Sequence, residues 1–233
     1  MHPSLKTLLI HAAVPTLVSL GSVGAATAAI IFDGGSPNQQ NGFEVTRWVG
    51  ADDFVLTALT GTTLKGVHFW TLEGGAWDGT LDYYLFTDES GQPASTPFAQ
   101  GAGTNVTKTD TGATVLGLSE YEYNFDLPVP LPLLANTTYW LGLHLSSNFV
   151  KNNIYWETTS SSLGSNSANS DGGTFTNWGT NTDENLAFYL VGSDATPVPT
   201  PLPLVGAFTA FRFSRQLRKR SKVHHKAKFN MAD

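Results

Sequence analysis

Carboxylates are the most numerous groups in this chain able to do chemistry: 19 Asp and Glu in 233 residues, with no cysteine at all. Without thiols there is no disulfide, no thiolate metal site and no cysteine nucleophile. Carboxylate catalysis needs two side chains converging within ~5 to 10 Å across a scissile bond. The acids here are scattered, and no GxSxG, HExxH or paired catalytic spacing organises them. Asp52 and Asp53 come nearest to a pair. Neighbours in a strand point to opposite faces, so the two do not share one substrate, and Asp53, ahead of Phe54, reads as a strand-end cap or a calcium ligand. Calcium is the ion these acids suit, with Asp52 and Asp53 joined by Asp33, Asp171 and Glu184 as hard oxygen ligands. No EF-hand spacing gathers them, and solvated loop acids account for the same residues. No other cofactor and no catalytic residue is implied.

His68 and His144 lie within apolar segments, where a hydrogen-bonded or half-exposed histidine is commoner than a metal ligand; a two-histidine site needs them adjacent across strands. The six tryptophans carry the one binding chemistry with a mechanism. A flat indole face stacks on a sugar ring while nearby amides and carboxylates bond its hydroxyls. Trp70, Trp140 and Trp156 stand among apolar neighbours in strand-like runs and are expected in the core. Trp77, in the turn Gly-Gly-Ala-Trp-Asp-Gly, and Trp178, in Thr-Asn-Trp-Gly, are the candidates for carbohydrate contact, with loop anchoring as the other reading.

The elements that must position these residues are strands. Glu120 to Leu127 alternates strictly, Tyr121, Tyr123, Phe125 and Leu127 on one face and Glu120, Glu122, Asn124 and Asp126 on the other. Similar runs recur at residues 30–33, 52–57, 64–72, 81–87, 105–110, 138–145, 154–158 and 186–191, between Gly, Asn, Ser and Pro clusters. No segment between residues 29 and 193 carries a capped 3.6-residue period. The expected fold is all-β: a two-sheet antiparallel β-sandwich of eight or nine strands, jelly-roll-like rather than immunoglobulin-like. Residues 160–182, rich in Ser, Asn, Gly and Thr, are expected as a long loop or hairpin on one edge.

Charge divides the chain. Between Ala29 and Ser193 four basic residues, Arg47, Lys65, Lys108 and Lys151, face 17 acids, a net of −13, while the whole chain carries −6. An acidic domain of this kind repels phosphate backbones, which excludes nucleic acid as a partner. The compensating cations lie at the C-terminus.

Both ends read as addresses. Residues 1–28 combine Lys6, an apolar stretch from Leu8 to Val23 and the small-residue end Ala26-Thr27-Ala28, the order of a signal peptide cut by signal peptidase. The domain follows over residues 29–193, then a proline-spaced linker over 194–203, then an apolar run and basic tail over 204–233. Prolines at 197, 199, 201 and 203 hold an extended spacer. About ten apolar residues then precede a cluster of arginines and lysines, short of the ~20 a stable span requires. Apolar followed by basic is nonetheless the order of a membrane stop with its positive end cytoplasmic.

The segments Val198 to Ala207 and Phe211 to Arg220, with Pro199, Thr200, Pro201, Leu202, Pro203, Arg212, Arg215, Arg218 and Arg220 at the positions that carry the motif, resemble the PEP-CTERM sorting signals recognised by exosortases. Thr200 stands where the name-giving glutamate is usual. Residues 51–56, 64–70, 138–144 and 155–158 look like the uncharacterised β-sandwich ectodomains that accompany such tails, which implies architecture and location but no catalytic site. The resemblance implies an exosortase-type membrane enzyme as partner and transient membrane contact through the tail. The expectation is thus an exported, surface- or matrix-associated, non-enzymatic protein. A carbohydrate-binding module acting on exopolysaccharide is the alternative, and a hydrolase with an unrecognised carboxylate site the third.

Overall fold

A two-residue period puts Tyr123, Phe125 and Leu127 on one face of a strand, and in the computed structural model of the chain that face is buried against a second sheet. The structure describes residues 29–57, 62–164, 166–171, 173–182 and 184–194. Ala26 and Ala28 of the expected signal cleavage, residues 199–203 of the sorting motif and Arg212, Arg215, Arg218 and Arg220 lie outside them.

Among the described residues there is no helix, and fourteen strands form two sheets. The eight-stranded sheet contains β1 Ala29–Asp33, β2 Pro37–Glu44, β4 Thr62–Glu73, β7 Thr104–Val115, β8 Leu118–Leu133, β10 Ile154–Thr159, β13 Asn185–Leu186 and β14 Phe188–Asp194. The six-stranded sheet contains β3 Trp48–Val55, β5 Asp82–Thr87, β6 Ala99–Ala102, β9 Thr138–His144, β11 Asn166–Asp171 and β12 Trp178–Thr182, in the order β12-β11-β3-β9-β5-β6. All strand pairs are antiparallel. The chain repeatedly crosses between sheets, so that each packs its apolar face on the other, and the fold is a β-sandwich.

Strands exceed the expected eight or nine because β2, β6, β11, β12 and β13 are short or polar and carry no apolar alternation. Residues 160–182 hold the β11–β12 hairpin at one edge of the six-stranded sheet. The core between the sheets draws Phe69, Tyr123, Phe125, Trp156 and Phe188 from one side and Phe54, Leu85, Leu141 and Leu143 from the other.

The six-stranded sheet is apolar on its outer face as well. Leu85 enters the core, so Phe86 points outward; Leu141 and Leu143 enter it, so Trp140 points outward. Phe86 and Trp140 are fully buried there with Ala51 and Ala168, beneath Tyr84, Phe175 and Trp178. Trp140 is thus buried outside the sandwich core. Trp70 departs from the core expectation: it lies half-buried on the outer face of the eight-stranded sheet, its ring 5.8 Å from that of Tyr189. Glu120 departs from the opposite expectation. On the supposedly solvated face of β8 it is 4% exposed.

Candidate functional site

The outer face of the six-stranded sheet ends in a recess. On β5 the side chains of Asp82 and Tyr84 share the outward face with Phe86, and on the edge strand β6 Gln100 pairs with Tyr84 and so faces the same way. Two connections rise over this floor. Phe149 comes from the segment after β9, and Gly173 and Phe175 come from the β11–β12 turn. Together these residues line a cavity of about 450 Å³.

Local geometry explains why the floor is aromatic and open. Gly142 on β9 lies under it, and a Cβ there would come 3.1 Å from Phe86 Cε2 and 3.2 Å from Tyr84 Cβ. The glycine lets both rings lie down across the strand. Phe175 meets Tyr84 at 5.1 Å and Phe86 at 4.9 Å, edge to face, and stacks on Trp178 at 5.7 Å. These are favourable aromatic arrangements that fix the wall in place. At the rim Gly173 has φ +71°, and a Cβ would approach Phe149 Cζ to 3.0 Å. Glycine here meets both the left-handed backbone and the close passage of two loops.

Phe149 stacks on His144 at 4.2 Å. His144 Nε2–H donates to the Thr46 carbonyl at 2.8 Å, which fixes the ring. His144 also sits directly across the β5–β9 ladder from Asp82. Partial burial raises the Asp82 pKa above the ordinary carboxylate value, and the neighbouring His144 pulls it back. Burial and the Asp82 charge both raise the Tyr84 phenol.

The carboxylate of Asp82, the phenol of Tyr84 and the amide of Gln100 make no hydrogen bond to another described residue. A concave surface with rigid aromatic walls and a few unengaged donors and acceptors is the general form of a small-molecule site.

Asp52 and Asp53 are not part of it. Asp52 points into the sandwich at 1% exposure, where its two oxygens accept the backbone N–H of Asp53, at 2.8 Å, and of Leu186. It ties β3 to β13 across the two sheets. Burial holds its pKa well above the usual range, the Asp53 charge adding to this while the two N–H donors oppose it. Asp53 faces the other way, its Oδ1 close under Gly164. Of the remaining acids weighed for calcium, Asp33 accepts the Gly35 N–H and Glu184 accepts from Asn41. Among the described residues no three His, Asp or Glu side chains gather as a metal-ligand group.

The histidines are held apart on different sheets. His68, on the outer face of the eight-stranded sheet, contacts Glu122 at 3.1 Å and the Tyr189 hydroxyl. Desolvation lowers its pKa against the opposing pull of Glu122.

Trp77 and Trp178 do not form one platform. Trp77 packs on the sandwich core, edge to face with Tyr123 at 5.2 Å, and its Nε1–H donates to the Thr80 carbonyl at 2.7 Å, which makes it a loop anchor. Trp178 is half-buried in the outer cluster behind Phe175 and supports the wall of the recess instead of forming its floor. The run Tyr83, Tyr84, Leu85 and Phe86, apolar on both faces of one strand, is the sequence signal that this sheet is covered on both sides.

Among the described residues a carboxylate pair also converges on the outer face of the eight-stranded sheet. Glu157 of β10 is 0% exposed, Glu120 of β8 lies beside it, and Gln39 of β2 donates to Glu120 Oε2 at 3.2 Å. Burial pushes Glu157 up to about 7; the Glu120 charge adds to this and the Gln39 backbone N–H opposes it. The pair is sealed from substrate by the same burial.

No family model and no curated protein matches this chain.

Proposed function

We propose that this chain is an exported, surface- or matrix-associated, non-enzymatic protein, sorted through its PEP-CTERM-like tail by an exosortase-type membrane enzyme, whose sandwich domain holds extracellular polysaccharide. The observation that carries the binding part is the recess on the outer face of the six-stranded sheet, where Phe149, Phe175 and Tyr84 line one cavity with Asp82 and Gln100, whose polar ends make no hydrogen bond to another described residue. Rings of this kind stack on pyranose faces while a carboxylate and an amide bond the hydroxyls. The export part rests on the signal-peptide pattern through Ala28 and on the ordered proline, apolar and arginine zones of the tail. The non-enzymatic part rests on the sequence, in which no catalytic motif or paired spacing organises the acids.

Two experiments test this reading separately. Glycan-array binding of the full chain is expected to give saturable signals that fall at least tenfold in the double variant F149A/F175A; equal signals for both proteins refute the recess as the site. Intact mass of the mature protein from cells with and without the exosortase gene tests the tail. Recovery of the complete C-terminus in both strains refutes sorting by cleavage.

A further inference from the structure

We propose that the recess selects a cationic amino sugar, a glucosamine-type residue with a free ammonium, over neutral or uronic sugars, with Asp82 as the specificity-determining residue. This rests on the polysaccharide-binding reading above and deepens it. Four observations lead here. Among the described residues that line the recess, Asp82 is the one formally charged side chain and none is cationic. Its carboxylate makes no hydrogen bond to a described residue, so its acceptor capacity is open to a ligand. The rings of Tyr84, Phe149 and Phe175 line the same cavity as that carboxylate, and aromatic faces attract ammonium groups through their quadrupole. The domain carrying the recess has 17 acids against four basic residues, a field that draws cationic polymers in and turns uronates and sulfated chains away.

A lysine-rich peptide would satisfy the same carboxylate. The remaining groups favour the sugar. Gln100 brings an amide with donors and an acceptor, and Tyr84 brings a hydroxyl, both unengaged within the described residues. A lysine stem has no partner for them, whereas a pyranose ring carries hydroxyls around its whole edge. Partial desolvation of Asp82 strengthens its attraction for a cation, since a half-buried charge is screened less than an exposed one.

The test is calorimetric titration of the full chain with four probes of equal length: glucosamine tetramer, N-acetylglucosamine tetramer, tetragalacturonate and tetralysine. The expected result is binding of the glucosamine tetramer at least tenfold tighter than the other three, weakening as salt rises. D82N, and independently D82S, are expected to bring the ratio between glucosamine and N-acetylglucosamine tetramers to within threefold and to reduce the salt dependence to what the remaining acids of the domain supply. E122Q, on the far sheet, is expected to change neither. Equal or tighter binding of the acetylated or uronic tetramer overturns the selectivity while leaving the polysaccharide reading intact. Tetralysine binding as tightly as the amino sugar overturns it in favour of a basic peptide. Failure of every saccharide, here and on the array, overturns both readings.

Discussion

The two outer faces of this sandwich treat polar groups in opposite ways. On the eight-stranded sheet the side chains are engaged or sealed: Glu122 and Tyr189 both contact His68, and Glu157 is shut away beside Glu120 and Gln39. On the six-stranded sheet the apolar groups are sealed, with Trp140 and Phe86 fully covered, while the polar ends of Asp82, Tyr84 and Gln100 make no hydrogen bond to another described residue. The difference separates structure from function more sharply than burial does. The Glu157 carboxylate beside β2 is sealed away at a cost in its charged form, whereas the half-exposed Asp82 carboxylate shares a cavity with aromatic rings.

The contrast can be broken most forcefully at Trp140. It is fully buried outside the main core and its Nε1–H donates to Asp88 at 3.0 Å. Trp140→Ala is expected to destabilise the domain by about 3 to 5 kcal/mol, as a core deletion does. A loss below 1 kcal/mol in urea denaturation would show that the outer cluster is a loose covering and not a second core.

Glu157 tests the other face. Its folded pKa of about 7 lies above the ordinary 4.5, so between those values the native state holds a proton that the unfolded chain has released. Stability therefore falls as pH rises from about 4.5 to 7, and is unaffected by this group at lower pH, where both states are protonated. Glu157→Gln is expected to flatten that decline and to gain about 1 to 3 kcal/mol at pH 8, with no gain at pH 4. Thermal melts across this range check the sign; a loss at pH 8 would mean that the carboxylate is stabilised as an anion.

The smallest expected effect on stability is at the rim. Phe149 is 38% exposed, and Phe149→Ala should cost less than about 1 kcal/mol. A larger loss would make this ring part of the fold, and the face that carries it would then resemble its opposite.

Legibility in the sequence followed the same division. Strands with one buried face, such as Glu120 to Leu127 and Thr138 to Leu145, announce themselves by alternation, though their long-range partners do not. Strands whose residues are polar, such as Asn166–Asp171, do not, because their pairing is set by neighbours far along the chain. The site failed to appear for a related reason. Turn context marked Trp77 and Trp178 as exposed, but long-range packing turned one into an anchor and the other into a support. Phe149, Phe175, Asp82 and Gln100 come from four separate segments, and only the fold places them around one space. Glu120 likewise looked solvated until β2 covered it.

The pairing of Ala29 with Gly192 has a mechanical consequence. The described domain begins and ends side by side, and its last strand is held on one flank by β1 and on the other by β4 over seven register pairs, from Phe188 to Asp194. Tension entering beyond Asp194 is therefore taken up along β14, where ladder hydrogen bonds on both flanks share the load, as in a lap joint. The recess lies on the other sheet, so a pull of that kind reaches the domain by a strand that contributes nothing to the aromatic walls.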